Sequence, residues 1–236
     1  MSWTDNKAIE QIKKLRDDFK VDTLFETGSF RGVNAELHSH NFEEVVTIES
    51  DVKNYEKVKQ RINGKRNVFC LLANSWNYFK SVRRRSLLGN MFYLDAHFYQ
   101  PNAKPEDRWV VVKELQALKG LRECVIIIHD FKCSGLGHLV YDGEALDWNV
   151  VGKHLQQVNP NFHYYVNTKE YCDINTEETV KDLSITVDED VLDGIKFANS
   201  SDVKRYRGIL YATPAPLDHH KYDLVKYFKP IMAENR

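Results

Sequence analysis

The stretch VDTLFETGSFRG, residues 21–32, joins a short apolar run to a turn that contains two glycines. The run 21–25 is predicted to be a strand, and a helix is predicted at about 32–38. Glycine lets backbone approach a ligand closely, and the start of a helix offers free N–H groups. The carboxylate of Glu26, at the strand end, can accept hydrogen bonds from a ligand's ammonium or hydroxyl groups. The glycines alone are equally consistent with a plain tight turn.

Apolar runs and helical patterns alternate along the rest of the chain, which is typical of parallel βαβ units. The run 124–128 is the most apolar, and this favours a central strand covered on both faces. A helix near 218–227 is predicted to close the chain. We therefore predict an α/β fold with a Rossmann-like, doubly wound and mostly parallel sheet of seven strands. The predicted strands cover residues 21–25, 44–49, 67–72, 91–95, 124–128, 162–166 and 208–212.

The composition predicts one domain, 1–236, because 236 residues with 42% hydrophobic side chains can bury a single core. A formal net charge of -1 disfavours nucleic acid and membrane surfaces as partners. No signal peptide, bilayer-crossing run or Cys-x-x-Cys pair is recognised in the sequence, so we expect a cytoplasmic protein. An acidic segment at about 173–205 is interpreted as an insertion. It is a candidate border of the substrate entrance, or a candidate contact between subunits of a homo-oligomer.

Polar side chains follow three of the predicted strands. Glu49 ends the second strand, where doubly wound folds place the acid that binds a ribose. Asp95 and His97 follow the fourth strand, and His129 and Asp130 follow the fifth, so these two pairs should converge on one crevice. Two carboxylates and two imidazoles suit a divalent cation or general acid–base chemistry. The structural alternatives are a solvated Glu49, an Asp95 that caps the following loop, and a His129 buried in the core.

Together these residues resemble class I S-adenosylmethionine-dependent methyltransferases over about 21–212. Glu26-x-Gly28-x-x-x-Gly32 is similar to the cofactor-binding first motif of that family, although Phe30 stands where a glycine is common. The resemblance implies S-adenosylmethionine as the cofactor and a last strand that runs antiparallel to the others. The cofactor-binding residues that it implies are Glu26, Gly28, Ser29, Gly32, Glu49, Asn74, Ser75 and Asp95.

The pattern Asp95-x-His97, a helix with Glu114, and then His129-Asp130 is more specific. It is similar to small-molecule and sugar O-methyltransferases of the macrocin O-methyltransferase type, which implies O-methylation of a small-molecule or sugar hydroxyl. The resemblance makes Asp95 and Asp130 candidate ligands of Mg²⁺ or another divalent cation. It makes His97 the candidate base, with Asp130 beside it in the catalytic set, and His129 a lesser candidate for base or metal ligand.

Methyl transfer is an in-line displacement for which the protein aligns the acceptor hydroxyl and removes its proton. We expect a metal ion to lower the pKa of that hydroxyl, His97 to accept the proton, and the loop 131–142 to close over the substrate. A non-catalytic ligand-binding or regulatory module on the same fold is the main alternative. A nicotinamide-dependent oxidoreductase is disfavoured because the Gly-x-Gly-x-x-Gly spacing is missing.

Overall fold

Helices and strands alternate in the computed structural model in the predicted order from the first helix to the fifth strand. The structure describes residues 6–97, 109–133, 136–141, 143–167, 196–198 and 207–228. The helices are α1 (Asn6–Phe19), α2 (Val33–His38), α3 (Val52–Arg61), α4 (Ser75–Ser81), α5 (Val110–Ala117) and α6 (Trp148–Val158), with a 3₁₀ turn at Arg84–Leu87. The strands are β1 (Thr23–Thr27), β2 (Glu44–Glu49), β3 (Val68–Leu72), β4 (Met91–Leu94), β5 (Val125–Ile128), β6 (His138–Tyr141), β7 (Glu144–Ala145), β8 (His163–Asn167), β9 (Lys196–Ala198), β10 (Leu210–Thr213) and β11 (Leu224–Lys226).

The main sheet confirms the predicted Rossmann-like α/β class. Its strand order is β11-β8-β10-β5-β4-β1-β2-β3, and β1 to β5 pair in parallel in the 3-2-1-4-5 order of doubly wound folds. Strand β10 runs antiparallel to both β5 and β8, as the family resemblance implies. The sheet has eight strands rather than seven, because β11 adds a second antiparallel strand at the edge of β8.

The prediction of a helix near 218–227 is wrong, because this part of the chain contains β11 instead. Tyr222 and Leu224 are buried while Asp223 and Val225 are exposed, which is the period of two of a strand. The backbone of β8 also offers hydrogen bonds along its outer edge, and Leu224–Lys226 satisfies them. Pairing with that edge therefore outweighs the local helical pattern.

Hydrophobic side chains cover both faces of the main sheet. Ile126 and Ile128 of β5 belong to one buried cluster, whereas Val125 and Ile127 belong to the other. Leu115 of α5 packs in the first cluster with no exposed surface. The prediction of a central strand covered on both faces is thus confirmed for β5.

A second, three-stranded sheet has the order β7-β6-β9. Strand β6 lies within the segment 131–142 that was predicted to be a loop, so that part of the prediction is wrong. Strand β9 lies within the predicted insertion at 173–205, and the rest of that insertion is outside the described residues. Strands β8 and β10, on either side of the insertion, pair directly with each other.

Within the described ranges, every helix is too short or too polar to span a lipid bilayer.

Candidate active site

Three neighbouring strands end at the same level of the main sheet. Thr27 of β1 is aligned with Leu94 of β4, and Leu94 is aligned with Ile128 of β5. Asp95 and His129 come next on their strands, so they emerge side by side at the carboxyl edge of the sheet. This edge is where doubly wound folds bind ligands.

Gly28 brings the turn after β1 into contact with the end of β4. Its φ is +78°, in the left-handed region, and a Cβ placed there would lie 2.6 Å from the carbonyl oxygen of Asp95. Only glycine fits such a close approach without a shift of the backbone. The predicted cofactor turn and the predicted catalytic strand end are therefore in direct contact.

Phe30 takes a left-handed φ of 49° at the position where the first motif commonly has glycine. Its backbone N–H donates a hydrogen bond to Oε2 of Glu49 at 2.8 Å. A charge-assisted hydrogen bond of this kind offsets the roughly 1–2 kcal/mol that the left-handed conformation costs an L-residue. The departure from the motif is thus accommodated without loss of the turn.

Glu49 is buried, so the alternative of a solvated residue is wrong. Besides Phe30, the backbone N–H groups of Ser50 and Asp51 donate to its Oε1 at 2.8 and 2.9 Å. Glu49 therefore holds the turn of the first motif against the end of β2. Its predicted contact with a ribose stays a prediction.

Glu26 lies deeper than the edge, with 1% of its surface exposed. The hydroxyl of Thr47 donates to its Oε2 at 2.5 Å. Burial raises the pKa of Glu26 to about 8 despite this bond, and the nearby charge of Asp95 adds to the rise. The carboxyl therefore holds its proton at neutral pH, and in this arrangement it is covered rather than open to a ligand's ammonium group.

The other predicted cofactor residues lie around the turn and at the start of α4. Ser29 is fully buried, and Gly32 is the N-cap of α2 with a φ of 73°. Asn74 is exposed at the N-cap of α4, where its side chain makes no capping hydrogen bond. The hydroxyl of Ser75 donates to Oε1 of the fully buried Glu114. Asn74 is thus better placed than Ser75 to meet a ligand.

Asp95, His97, His129 and Asp130 form one cluster, as expected from the adjacency of β4 and β5. Nε2 of His97 lies 3.2 Å from Oδ1 of Asp95 and 3.1 Å from Oδ2 of Asp130. Nδ1 of His129 lies 3.0 Å from Oδ1 of Asp95 and 3.5 Å from Oδ2 of Asp130. The two carboxylates therefore share both imidazoles, while the chemical roles of the four residues stay predictions.

The charges of this cluster reinforce one another. Burial alone would shift the pKa of each group towards its neutral form, but the attraction between opposite charges in the cluster outweighs that shift. They raise the pKa of His129 to about 10 and lower that of Asp95 to about 2. The pKa of His97 is also raised, and that of Asp130 is held well below its ordinary range. At neutral pH the cluster is thus a set of ion pairs in which His129 is protonated.

His97 is the member of the cluster that solvent reaches. Its side chain is 14% exposed, against 2–3% for Asp95, His129 and Asp130. A substrate would meet His97 first, with the carboxylates behind it. This accessibility agrees with the order of candidates for the base, in which His97 precedes His129.

Arg207 is a member of the site that the sequence did not reveal. Its Nη1 lies 3.3 Å from Oδ1 of Asp130, and its side chain is 3% exposed. The contact joins the loop after β5 to the residue three before β10, which is 77 positions later in the chain. A lone arginine before a strand carries no motif, so only the topology could place it here.

The donor set at this edge does not fit a divalent cation. Asp95, His129 and Asp130 offer ligand atoms within 4.8 Å of one another. However, Nδ1 of His129 already faces Oδ1 of Asp95 at 3.0 Å. The two oxygens of Asp130 already face His97 and Arg207. The arrangement is that of an internally neutralised ion cluster.

The fold and the site together define an α/β protein with a polar, charge-balanced crevice at the carboxyl edge of a Rossmann-like sheet. No protein-family model matches the chain, and no curated protein matches its sequence. Similar solved structures include an rRNA methylase from Streptococcus thermophilus, with 11% identity over 90% of this chain and 98% of that one and a TM-score of 0.48. An O-methyltransferase from Bacillus cereus is similar with 13% identity over 90% and 82% of the two chains and a TM-score of 0.49. An amino pentose methyltransferase from Micromonospora echinaspora shares 17% identity over 54% and 50%, with a TM-score of 0.36.

Proposed function

We propose that this chain transfers a methyl group from S-adenosylmethionine to a hydroxyl group of a small molecule or sugar. The observation that carries the proposal is the position of His97. It is the accessible member of a buried acid–imidazole cluster, and that cluster contacts the glycine turn to which the sequence assigns the cofactor. A proton acceptor beside a cofactor turn is the arrangement that alkylation of a hydroxyl requires.

Bound S-adenosylmethionine would supply an already activated methyl group, so the chain has to orient the acceptor and remove its proton. Nε2 of His97 faces the carboxylates of Asp95 and Asp130, which fixes the ring, keeps a proton on Nε2 and makes the ring a stronger base. In the neutral form of the ring, with its proton on Nε2, Nδ1 is the nitrogen that can accept the proton of the substrate hydroxyl. Asp95 and Asp130 act behind His97, because both are almost completely buried.

The residues around the turn fit the cofactor. Glu49 uses one oxygen for a single backbone N–H, so that oxygen can still accept a hydrogen bond from a ribose hydroxyl. Asn74 presents an exposed amide at the neighbouring strand end, where it can contact the adenine or methionine portion. The metal-assisted version of the reaction lacks comparable support, because the oxygens of Asp130 already face His97 and Arg207. We therefore assign no step of the reaction to a metal ion.

Titration calorimetry with S-adenosylmethionine tests the cofactor assignment. We expect wild type to bind and Glu49→Ala to lose about 1–3 kcal/mol of binding free energy, the scale of hydrogen bonds to a charged group. Glu49→Gln separates the loss of charge from the loss of the side chain that holds the turn. Glu56→Ala, which removes an exposed acid on α3, is the matched control. Unchanged affinity in both Glu49 variants would remove Glu49 from the site, and absence of binding by wild type would overturn the function.

Formation of S-adenosylhomocysteine with a panel of sugars and small hydroxyl compounds tests the reaction. We expect His97→Gln to lower turnover by about 10²–10⁴, the usual contribution of a general base, while cofactor binding survives. Ribosomal RNA belongs in the panel as a negative control, because a net charge of -1 gives no overall attraction to phosphates. Cofactor binding without turnover on any hydroxyl compound would instead indicate a ligand-binding or regulatory module.

A further inference from the structure

Hydrogen bonds to Asn167 and Phe131 fix the backbone around Arg207. The side-chain amide of Asn167 donates to the carbonyl oxygen of Arg207 at 2.9 Å, and Ile209 N–H donates back to Asn167 Oδ1 at 2.7 Å. Gly208 accepts a hydrogen bond from Phe131 N–H at 2.8 Å. The backbone at Arg207 and Gly208 is therefore fixed at the end of β8 and against the loop that follows β5.

Gly208 makes this approach tight. A Cβ on Gly208 would lie 1.9 Å from the carbonyl oxygen of Phe131, so the two backbones are in contact. Since Asp130 precedes Phe131 and Arg207 precedes Gly208, the crossing brings the carboxylate and the guanidinium within reach of each other. The ion pair thus joins two buried side chains from adjoining backbone segments, and neither of them is a mobile surface side chain.

The contacts of Asp130 are divided between its two oxygens. Oδ1 faces Nη1 of Arg207 at 3.3 Å, whereas Oδ2 faces the ring nitrogens of His97 and His129. The guanidinium carries a permanent positive charge, in contrast to an imidazole. The guanidinium faces Oδ1, the oxygen of Asp130 that does not face an imidazole. A metal ion bound by Asp130 would compete with Arg207 for this oxygen.

We propose that Arg207 is the resident cation of this site, supplying the positive charge that a divalent ion would bring and making the cluster independent of metal. The role of Arg207 in methyl transfer rests on the proposed function. The exclusion of a metal ion by Arg207 does not depend on that function. Arg207 is a positioning residue, because it acts on the substrate through Asp130 and His97. Asp130 is thus part of an ion pair with Arg207 where the resemblance suggested a metal ligand.

Binding of Mn²⁺ to the purified chain, measured by electron paramagnetic resonance and by calorimetry, tests this inference without reference to activity. We expect wild type to show no saturable Mn²⁺ site that depends on Asp130. Arg207→Met removes the charge while keeping an unbranched side chain, and is expected to create such a site, with at least a tenfold gain in affinity. Arg207→Lys keeps the charge and is expected to restore the wild-type result. The double variant Arg207→Met, Asp130→Asn should lose the gained site again.

Two outcomes would overturn the inference. One is a Mn²⁺ site in wild type that Asp130→Asn abolishes, and the other is a well-folded Arg207→Met variant that binds no more Mn²⁺ than wild type. If Arg207→Met does not fold, the comparison of wild type with Asp130→Asn and Arg207→Lys decides. Titration with S-adenosylmethionine on the same samples shows whether the proposed function fails independently of the metal result.

Discussion

Replacing Glu26 with glutamine should make the protein more stable at alkaline pH and leave it unchanged at acid pH. The folded protein holds the Glu26 proton up to a pKa of about 8, whereas the ordinary value is 4.5. Between these two values the unfolded chain has released the proton and the folded protein has kept it, so stability falls as the pH rises. Below about pH 4.5 both states are protonated, and the carboxyl has no effect on the pH dependence.

The size of the effect follows from the same two pKa values. The interval from 4.5 to about 8 corresponds to about 5 kcal/mol at about 1.36 kcal/mol per pH unit. Relaxation around the buried charge reduces such penalties in real proteins, so we expect a difference of about 2–5 kcal/mol at pH 8 and above. Glutamine keeps the shape of the side chain and an oxygen that accepts from Thr47, so packing changes little.

Urea unfolding followed by circular dichroism at several values between pH 4.5 and 8.5 measures this difference. The stability gain of Glu26→Gln over wild type should grow continuously across the range. Glu56→Gln, which neutralises an exposed acid of α3, controls for the change in net charge. A gain that is the same at pH 5 and pH 8 would refute the reasoning, because burial would then not control the proton of Glu26.

Gly28→Ala should lower the free energy of unfolding in urea by more than about 2 kcal/mol, because alanine would have a left-handed φ and a Cβ 2.6 Å from the carbonyl oxygen of Asp95. An unchanged unfolding midpoint would contradict this close approach. Asn167→Ala should destabilise the protein by about 2–4 kcal/mol in the same assay, because the backbone groups of Arg207 and Ile209 lose buried partners. Replacement of 173–195 by a short glycine–serine linker should leave thermal unfolding cooperative, since β8 and β10 pair directly. Failure of that variant to fold at low temperature would show that the insertion belongs to the core.

The strand ends were predictable because local patterns and a general rule of topology coincide there. The apolar run before Asp95 and the one before His129 each end at a polar residue, and parallel strands bring their carboxyl ends to one edge. The cap of α3 is equally local, since the side chain of Asp51 accepts a hydrogen bond from the N–H of Asn54, three residues later. Local signals of this kind require no knowledge of distant partners.

The remaining features depend on contacts between distant parts of the chain. The segment 218–227 contains a strand because the edge of β8 is available to it, which no local pattern reports. The strand His138–Tyr141 similarly depends on partners at Glu144–Ala145 and Lys196–Ala198. Arg207 enters the site through the crossing of two backbones, so its partner could not be inferred from its neighbours in sequence.

The position of β10 between β5 and β8 in the sheet has a consequence for the order of folding. During synthesis from the N-terminus, β5 emerges about eighty residues before Leu210–Thr213, so its outer edge has no native partner in the meantime. An apolar strand with an open edge is a site of mispairing and aggregation. Asp130 likewise emerges before its arginine, so the crevice can reach its final electrostatic state only after Arg207 has been added. Folding of the central sheet and maturation of the site are therefore coupled to one late, non-local event, which predicts slow closure relative to the first five strands.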